Sequence, residues 1–348
     1  MAGRRRKRVT MRDIAKKLNI SINSVSIALN GKEGVSDELR STIIKTAQEM
    51  GYFETNSRIL SGFRYKSVSL LIEERHFRDE HFYSRVTVGI EQQARKNGYD
   101  VIINFIHEGQ IQVPASIVDK RVAGILVVGP VNDLLLKTLC ESGLPVVLVD
   151  HASFSINTDA VLTQNMQGTY MATLYLIGKG HRKIGFFGDV SYSLSVKERW
   201  LGYREALIAA KLEDRHIIKE NAYSITGPVE KLVIEDNFEK VANLVSELKE
   251  MPTAWVCSND RAAITLCKAL KNLDIRVPED VSVIGFDDIG MASIFVPHLT
   301  TVKVEKELMG KKAFERLLEK IEQKDDTTYH IRLPVSFVER DSVREIKA

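Results

Sequence analysis

Cysteine is scarce in this chain of 348 residues, which contains only Cys140, Cys257 and Cys267. The number is odd and no two cysteines share a CxxC spacing, which argues against a disulfide framework and against a structural zinc site. The pattern is typical of a protein that stays in a reducing compartment, so we expect a cytoplasmic location.

Long apolar runs are also missing. The longest stretch without a charged side chain, residues 160–178, is interrupted by Thr, Gln, Asn and Gly, and a membrane span of roughly 20 residues does not tolerate so many polar groups. Residues 4–8 are all basic, as at the start of a signal peptide, but no apolar segment follows them. We therefore predict no membrane partner.

The sequence contains none of the common catalytic motifs GxSxG, HExxH, GxxxxGK[ST] and GxGxxG, and no HxxxH spacing for a metal. Asp287 and Asp288 could be imagined as the carboxylate pair of a glycosidase, but adjacent residues on a tight turn rarely reach the separation that this chemistry needs. We expect a protein that is not an enzyme, with no catalytic residue, no metal and no cofactor.

Charge is present but unevenly distributed. With 44% hydrophobic and 27% charged residues, the composition is that of a folded globular protein. Residues 1–66 carry 14 Lys/Arg and 6 Asp/Glu, a net charge of +8, whereas the remaining 282 residues have a net charge of −5. A basic head on an acidic body indicates binding to nucleic acid.

The head reads as three short helices with a capping residue before each. Thr10 precedes the first and Asp13 lies in its first turn, Ser21 caps a second over residues 22–29, and Ser36 caps a third over residues 37–50. This order is typical of a helix-turn-helix unit. The core then requires Ile14, Leu18, Val25 and Leu29, while Ile22, Asn23, Ser26 and Ile27 face outward, where a recognition helix meets base edges. A three-helix module for protein contacts is the alternative.

Residues 9–31, with Gly51 and Tyr52, resemble the headpiece of the lactose/galactose repressor (LacI–GalR) family. From the position of the second helix and this resemblance, we predict DNA contacts from Thr10, Ser21, Ile22, Asn23, Ser24, Ser26, Ile27, Asn30, Arg58 and Leu60. Asn23 can pair with adenine, and Ile27 can touch a thymine methyl group but cannot read guanine.

The family's hinge-helix pattern Ala-Arg-x-Leu is matched by residues 57–60, although no Pro precedes them. The resemblance implies that Leu60 is a wedge in the minor groove. The alternative is that Leu60 packs on its own headpiece.

From residue 68 onward, short β-branched runs alternate with helical stretches, which favours parallel sheets covered by helices on both faces. The strands are predicted at residues 68–72, 101–106, 124–128, 145–149, 183–188, 254–258 and 281–286. Residues 180–186, 199–207, 258–260, 282–288 and 297–301 resemble motifs of the same family in the same order.

The resemblance implies an all-α helix-turn-helix headpiece plus an α/β body like that of periplasmic binding proteins, with two doubly wound parallel-sheet subdomains. We place the DNA-binding domain at residues 1–54, the hinge at 55–66 and the effector-binding and dimerisation domain at 67–348. The N-subdomain takes about 67–162 and 298–328, and the C-subdomain about 163–297 and 329–348.

In open α/β sheets, ligands bind beyond the carboxyl ends of the strands, and this rule selects residues that directly follow predicted strands. The resemblance narrows the choice, because it implies that Arg199 clamps the effector and Asp287 accepts its hydroxyl groups. The predicted effector-binding residues are Phe82, Tyr83, Asp150, Arg199, Asn259 and Asp287.

The sequence thus predicts a DNA-binding transcriptional regulator, a repressor, that binds double-stranded operator DNA as a homodimer and is modulated by a small-molecule effector, a sugar. Such a protein would associate with the nucleoid. Control by a protein partner or a nucleobase is the alternative, and a sugar-binding protein or an enzyme is the remote one.

Overall fold

The computed structural model describes residues 9–29, 34–52, 66–77, 82–107, 112–212, 222–323 and 327–346. Contacts divide the chain into two compact units, the first formed mainly by residues up to Lys66 and the second, the body, by most residues from Ser67 onward. In the part of the chain that is described, no helix is both long and apolar enough to cross a membrane.

The described residues of the first unit form three helices: α1 (Met11–Leu18), α2 (Ile22–Leu29) and α3 (Asp37–Glu49). The predicted cap of α1 is confirmed as a reciprocal pair. The Thr10 hydroxyl accepts from the Asp13 amide at 3.4 Å, and the Asp13 carboxylate accepts from the Thr10 amide at 2.8 Å. The Ser36 hydroxyl accepts from the Leu39 amide at 3.3 Å and caps α3. These bonds satisfy amides that a first helical turn leaves without a partner.

A small apolar core joins the three helices. Of the predicted core residues, Ile14, Val25 and Leu29 are fully buried, and Leu18 is half-buried against them. Arg40 of α3 donates from Nη1 to the carbonyl of Ala28 at 3.1 Å, close to the end of α2. Helix α2 is therefore held both by its apolar face and near its carboxyl end.

The larger sheet of the body is parallel throughout, with strand order β10-β5-β4-β3-β1-β2. Its strands are β1 (Ser67–Glu73), β2 (Asp100–Ile106), β3 (Ile125–Val128), β4 (Val146–Val149), β5 (Asp159–Thr163) and β10 (His330–Leu333). Its helices are α4 (Glu74–Phe77), α5 (Tyr83–Lys96), α6 (Ala115–Val118), α7 (Asp133–Glu141) and α13 (Lys306–Gln323). Strands β3 and β4 are buried at every residue, as expected of central parallel strands.

The second sheet has three parallel strands, β6 (Ile184–Phe187), β7 (Ala254–Cys257) and β8 (Ser282–Ile284). Its helices are α8 (Asn165–Gly178), α9 (Leu194–Ala209), α10 (Glu230–Ile234), α11 (Phe238–Ser246) and α12 (Asp260–Asn272). Trp255 is fully buried in its core and meets Phe187 edge-on, with ring centroids 6.4 Å apart. The predicted fold class, a helical head with an α/β body of two parallel sheets, is confirmed.

The chain passes between the two halves of the body three times. It leaves the larger sheet after β5, returns from β9 (Thr301–Val304) into α13, and leaves again from β10 into β11 (Val335–Val338), which pairs antiparallel with β9. The expectation that residues 329–348 all belong to the C-subdomain is wrong for β10, because this strand pairs with β5. The Tyr329 amide donates to Asp159 at 3.0 Å and holds the start of β10 there.

Candidate functional site

Helix α2 turns its predicted DNA-contacting side away from the core. Ser21, Ile22 and Asn23 are exposed, and the side chain of Ile22 is 45% accessible. The Ser21 hydroxyl also accepts from the Ser24 amide at 2.9 Å and so caps α2. An exposed Ile at the start of a capped helix contributes nothing to the core and is open to an external partner.

The other predicted DNA contacts divide into two groups. Thr10 is exposed and belongs to the α1 capping pair, while Ser24, Ser26 and Ile27 are half-buried on α2. Asn30, Arg58 and Leu60 lie outside the described residues, as does the predicted hinge at 55–66 apart from Lys66. Their DNA contacts stay predictions.

All six predicted effector-binding residues line a single pocket in the body, the cleft pocket, whose volume is about 110 Å³. Asp150 and Asp287 come shortly after β4 and β8, and Asn259 follows β7. Phe82 and Tyr83 begin α5, and Arg199 lies in α9. The pocket therefore forms at the carboxyl ends of strands from both sheets, where ligands bind in this class of fold.

A buried ion pair crosses this pocket. Arg199 is 3% exposed, and its Nη2 lies 3.1 Å from Oδ1 of Asp287. Its Nε donates to Asn165 Oδ1 at 2.9 Å, and its Nη1 donates to the Ser258 carbonyl at 2.7 Å. The guanidinium also lies 3.9 Å from the ring centroid of Phe286. These contacts hold the planar guanidinium in one orientation, which suits directional recognition of oxygen atoms.

The aspartates that follow β4 and β8 have unusual backbone geometry. Asp150, Asp287 and Asp288 have φ values of 58°, 109° and 52°, a region that L-residues rarely adopt and that costs of order 1–3 kcal/mol at an unusual position. Asp288 turns to Arg340, whose Nη2 donates to its Oδ1 at 2.6 Å. Asp287 alone of this adjacent pair lines the cleft pocket.

Asp150 is 6% exposed and accepts two hydroxyl hydrogen bonds. Tyr83 donates to its Oδ2 and Ser195 to its Oδ1, each at 3.0 Å. Burial raises the pKa of Asp150 above its ordinary value, and the positive charge of Arg199 acts in the opposite direction. The same burial, followed by the charge of Asp150, raises the pKa of Tyr83, which keeps this phenol protonated.

Asn259 and Phe82 have structural contacts in addition to lining the pocket. The Asn259 Oδ1 accepts from the Ala262 amide at 2.8 Å and caps α12. Phe82 is 6% exposed, meets Tyr83 edge-on at 5.0 Å, and has the Lys306 ammonium 6.0 Å from its ring centroid. Both side chains are therefore fixed in place before any ligand arrives.

Further residues line the pocket that were not predicted to bind the effector: Arg75, His76, Tyr192, Ser193, Ser195, Val196, Glu230, Ile234, Arg261 and Ile289. Arg75 and His76 lie in α4, within the segment after β1 that the strand-end rule selects, although neither was among the predicted effector-binding residues. His76 Nε2 lies 3.0 Å from the Tyr192 hydroxyl, which links the two halves of the body. No sequence signal marks Glu230, which reaches the pocket from α10.

Glu230 places a third carboxyl group in the cleft pocket. Burial, followed by the nearby charge of Asp189, raises the pKa of Glu230 to about 7. Together with Asp150 and Asp287, it faces the guanidinium groups of Arg75, Arg199 and Arg261 around the same space. A pocket with both acceptors and donors suits a neutral polyhydroxylated ligand better than a strongly charged one.

Comparison with known proteins agrees with this description. Residues 10–62 match the family model for bacterial regulatory proteins of the lacI family, and residues 173–343 match the periplasmic binding protein-like domain. Among solved structures, the complex of the transcriptional regulator CelR with cellobiose has a TM-score of 0.68 at 23% identity and covers 96% of this chain and 100% of its own. That structural likeness confirms the fold.

Two relatives extend along almost the whole chain. The HTH-type transcriptional repressor PurR of Vibrio atlanticus is 32% identical over 97% of this chain and 99% of its own length. The ribose operon repressor of Haemophilus influenzae is 30% identical over the same shares. With its capped helix-turn-helix head and its two-sheet body, the chain belongs to the lacI family of bacterial regulatory proteins.

Proposed function

We propose that this regulatory protein represses transcription by binding operator DNA as a homodimer, and that a sugar in the cleft pocket changes its affinity for the operator. One observation carries the ligand part of this proposal. Three charged side chains, Asp150, Arg199 and Asp287, are at most 8% exposed and converge on one pocket. Burying charged groups costs free energy of desolvation even when they are paired, and such groups gathered in a cleft are candidates for a binding site.

The DNA part rests on the head. Its net charge of +8 provides the sequence-independent attraction to phosphates. The outer face of α2, with Ile22 and Asn23 exposed, provides the side chains that could read bases in the major groove. Leu60, in the hinge, would then insert into the minor groove and bend the duplex.

The homodimer follows from geometry, because one headpiece covers only a half-site of an operator. Among the described residues, the larger sheet ends in β2, an edge strand whose outer side pairs with no further strand. Its side chains Ile102, Ile103 and Phe105 are 38%, 38% and 47% exposed. An exposed apolar edge strand is a liability in a monomer. We therefore place the dimer contact on this edge of residues 67–348.

The proposed coupling is a change in the angle between the two halves of the body when a ligand fills the cleft pocket. That change would move the paired hinges at 55–66 and with them the insertion of Leu60. A coupling free energy of about 1–3 kcal/mol changes DNA affinity roughly 5–150-fold, enough for a switch. The protein needs no cofactor and catalyses no reaction in this scheme, and it acts in the cytoplasm at the nucleoid.

The test is a binding measurement with the full chain. A palindromic DNA is selected from a random pool, labelled, and titrated by fluorescence anisotropy at fixed salt with and without each member of a sugar panel. We expect one sugar to shift the midpoint, and Arg199→Gln to remove that shift while DNA binding persists. No preference over bulk competitor DNA would overturn the DNA part, and a response to nucleobases alone would overturn the sugar assignment.

A further inference from the structure

A polar side chain stands at each of the three crossings between the halves of the body. The first crossing joins β5 to α8, the second joins β9 to α13, and the third joins β10 to β11. Asn165 begins α8, Lys306 begins α13, and Arg332 lies next to the last residue of β10. The contacts of these three side chains all lead to the guanidinium of Arg199, which lines the cleft pocket.

At the first crossing, the side-chain amide of Asn165 lies between two groups of opposite charge. Its Oδ1 accepts from Nε of Arg199 at 2.9 Å, and its Nδ2 donates to Oε2 of Glu198 at 3.1 Å. A guanidinium can only donate and an ionised carboxylate can only accept, so these two neighbours fix the orientation of the amide. Asn165 therefore joins the side chains of two consecutive residues of α9.

At the third crossing, Glu198 continues the connection into the other half of the body. Arg332 donates to its carboxylate twice, from Nη1 to Oε2 at 3.0 Å and from Nη2 to Oε1 at 2.6 Å. A guanidinium–carboxylate pair with two hydrogen bonds fixes orientation as well as distance. The Gln164 amide donates to the Leu333 carbonyl at 3.0 Å, so the first and third crossings are also joined through their backbones.

The second crossing is joined to Arg199 by Asp287. The Asp287 carboxylate pairs with Arg199, and its backbone carbonyl accepts from the Lys306 ammonium. The Asp287 amide donates to the Val302 carbonyl of β9 at 2.7 Å. The turn after β8 is thereby attached to the strand and to the helix on either side of the second crossing.

Asn165, Glu198 and Arg332 do not line the cleft pocket, so they would act on a bound molecule through Arg199. Asn165 and Glu198 are 0% and 9% exposed. If the guanidinium turned towards a new oxygen atom, these buried partners would lose hydrogen bonds unless they moved with it, and unpaired buried polar groups are costly.

We propose that Asn165, Glu198 and Arg332 are positioning residues that form a relay. The relay fixes the guanidinium of Arg199 in the cleft pocket and passes a displacement of that group to the crossings. This inference rests on the proposed function, because it names the residues that would connect the cleft pocket to the angle between the two halves.

Hydrogen–deuterium exchange with mass spectrometry tests the relay on the full chain and needs no ligand. Arg332→Met leaves the Glu198 carboxylate without its cationic partner. We expect amides in the turn of Asp287, at the far end of this chain of contacts, to exchange about three- to tenfold faster, because the disturbance passes through Asn165 and Arg199.

Arg276→Met is the matched control. Arg276 also donates two hydrogen bonds to one carboxylate, that of Asp280, at 2.9 and 3.0 Å, but this pair lies at the surface. The control should leave exchange in the Asp287 turn unchanged. In Arg332→Met, faster exchange confined to β10 and β11 would show that Arg332 only holds the end of the larger sheet. Equal acceleration in α11 would show a general loss of stability, and either result overturns the relay.

The double variant Arg332→Gln with Glu198→Gln tests for rescue. Two neutral amides can hydrogen-bond to each other, and the new amide at position 198 still offers an oxygen to Asn165. No buried charge is left unpaired. We expect exchange in the Asp287 turn to return towards the wild-type rate. A turn that exchanges as fast as in Arg332→Met would contradict the connection through Glu198.

A binding measurement joins the relay to the proposed function. The probes are ribose, glucose and galactose, titrated by isothermal titration calorimetry. We expect Arg332→Met to weaken the binding of each sugar that binds the wild type about three- to tenfold, because Arg199 is no longer held in place. Unchanged affinity would overturn the positioning role. Binding of none of the three sugars to the wild type would count against the sugar-controlled function, whereas the exchange rates would still support or overturn the relay.

Discussion

The side-chain ammonium of Lys306 donates to the backbone carbonyl of Asp287 at 2.5 Å. The same Nζ reaches the carbonyls of Asp288 at 3.1 Å and Val304 at 3.3 Å. Lys306 begins α13, directly after the passage of the chain from β9 to the other half of the body. The turn that carries the Asp287 carboxylate is therefore hydrogen-bonded to the segment in which the chain crosses from β9 to α13, one of its three crossings between the two halves of the body.

This relationship predicts the effect of Lys306→Met. The substitution keeps an unbranched side chain but leaves buried carbonyls without their charged donor, and hydrogen bonds to charged groups contribute about 1.5–3 kcal/mol each. We expect the free energy of unfolding to fall by about 2–4 kcal/mol in urea denaturation. Lys303→Met is the control, since Lys303 pairs with Glu305 at the surface, and such pairs contribute at most about 1 kcal/mol. Equal losses in the two variants would contradict the role given to Lys306.

Arg199 has a predicted effect on stability that can be separated from its effect on binding. Arg199→Met leaves Asp287 buried without its ionic partner, and breaking a buried pair costs about 3–5 kcal/mol. The double variant Arg199→Met with Asp287→Asn removes both charges, and Asn tolerates the positive φ. We expect thermal denaturation to show most of the lost stability recovered in the double variant, and anisotropy to show no sugar response in either. A sugar response in the double variant would show that this pair does not contact the ligand.

Asn23 is the predicted reader of a base on the exposed side of α2. Asn23→Ala should weaken binding to the selected operator by about 1–3 kcal/mol. On an operator in which the base pair read by Asn23 is replaced, the wild type and the variant should bind with equal affinity. Gln48→Ala provides the control, because Gln48 is exposed on α3. An equal loss on random DNA would mean that Asn23 touches only the phosphate backbone.

Glu230 should make stability depend on pH. The pKa of Glu230 is raised from 4.5 to about 7 in the folded chain, so the folded state binds more protons than the unfolded state between these values. Its contribution is fully present below about pH 4.5 and is lost as the pH rises towards 7, an effect of at most ~3 kcal/mol. Urea denaturation should show that the free energy of unfolding falls less between pH 5 and pH 8 in Glu230→Gln than in the wild type. Glu235→Gln, on an exposed residue, should behave like the wild type.

The edge strand β2 allows a test of the dimer contact. Phe105→Asp puts a charge on an apolar edge, which a paired strand does not tolerate. We expect light scattering after size exclusion to show a monomer, and the affinity for a full palindromic site to fall to that for a half-site. Ile294→Asp, on an exposed residue outside this strand, should remain dimeric. A dimeric Phe105→Asp variant would place the contact elsewhere.

Local patterns in the chain were sufficient for much of this structure. Capping residues such as Thr10 and Ser36 locate helix starts, because they satisfy amides within one turn. Continuous apolar runs locate strands such as β3 and β4, because a central parallel strand is buried on both faces. The rule that ligands bind at strand ends, together with the family resemblance, was enough to predict that Asp150 and Asp287 line one pocket.

Other features depended on distant contacts. Strand β5 begins with Asp159, a residue that strands disfavour, and the strand is held by the ion pair of this carboxylate with Arg316 at 2.6 Å. Strand β10 joins the larger sheet although it follows α13 at the far end of the chain. Neither arrangement has a local signal, because each depends on a partner more than a hundred residues away in sequence.

The sequence by itself determined the helices of the head, the strands with continuous apolar runs and the polar residues at their ends, because these properties depend on neighbours within a few positions. Only the tertiary structure decided that Glu230 enters the cleft pocket, that Lys306 holds the turn of Asp287, and that Arg332 of β10 pairs with Glu198. Those relationships arise where the two halves of the body meet, and no spacing along the chain encodes the distance between side chains on separate sheets.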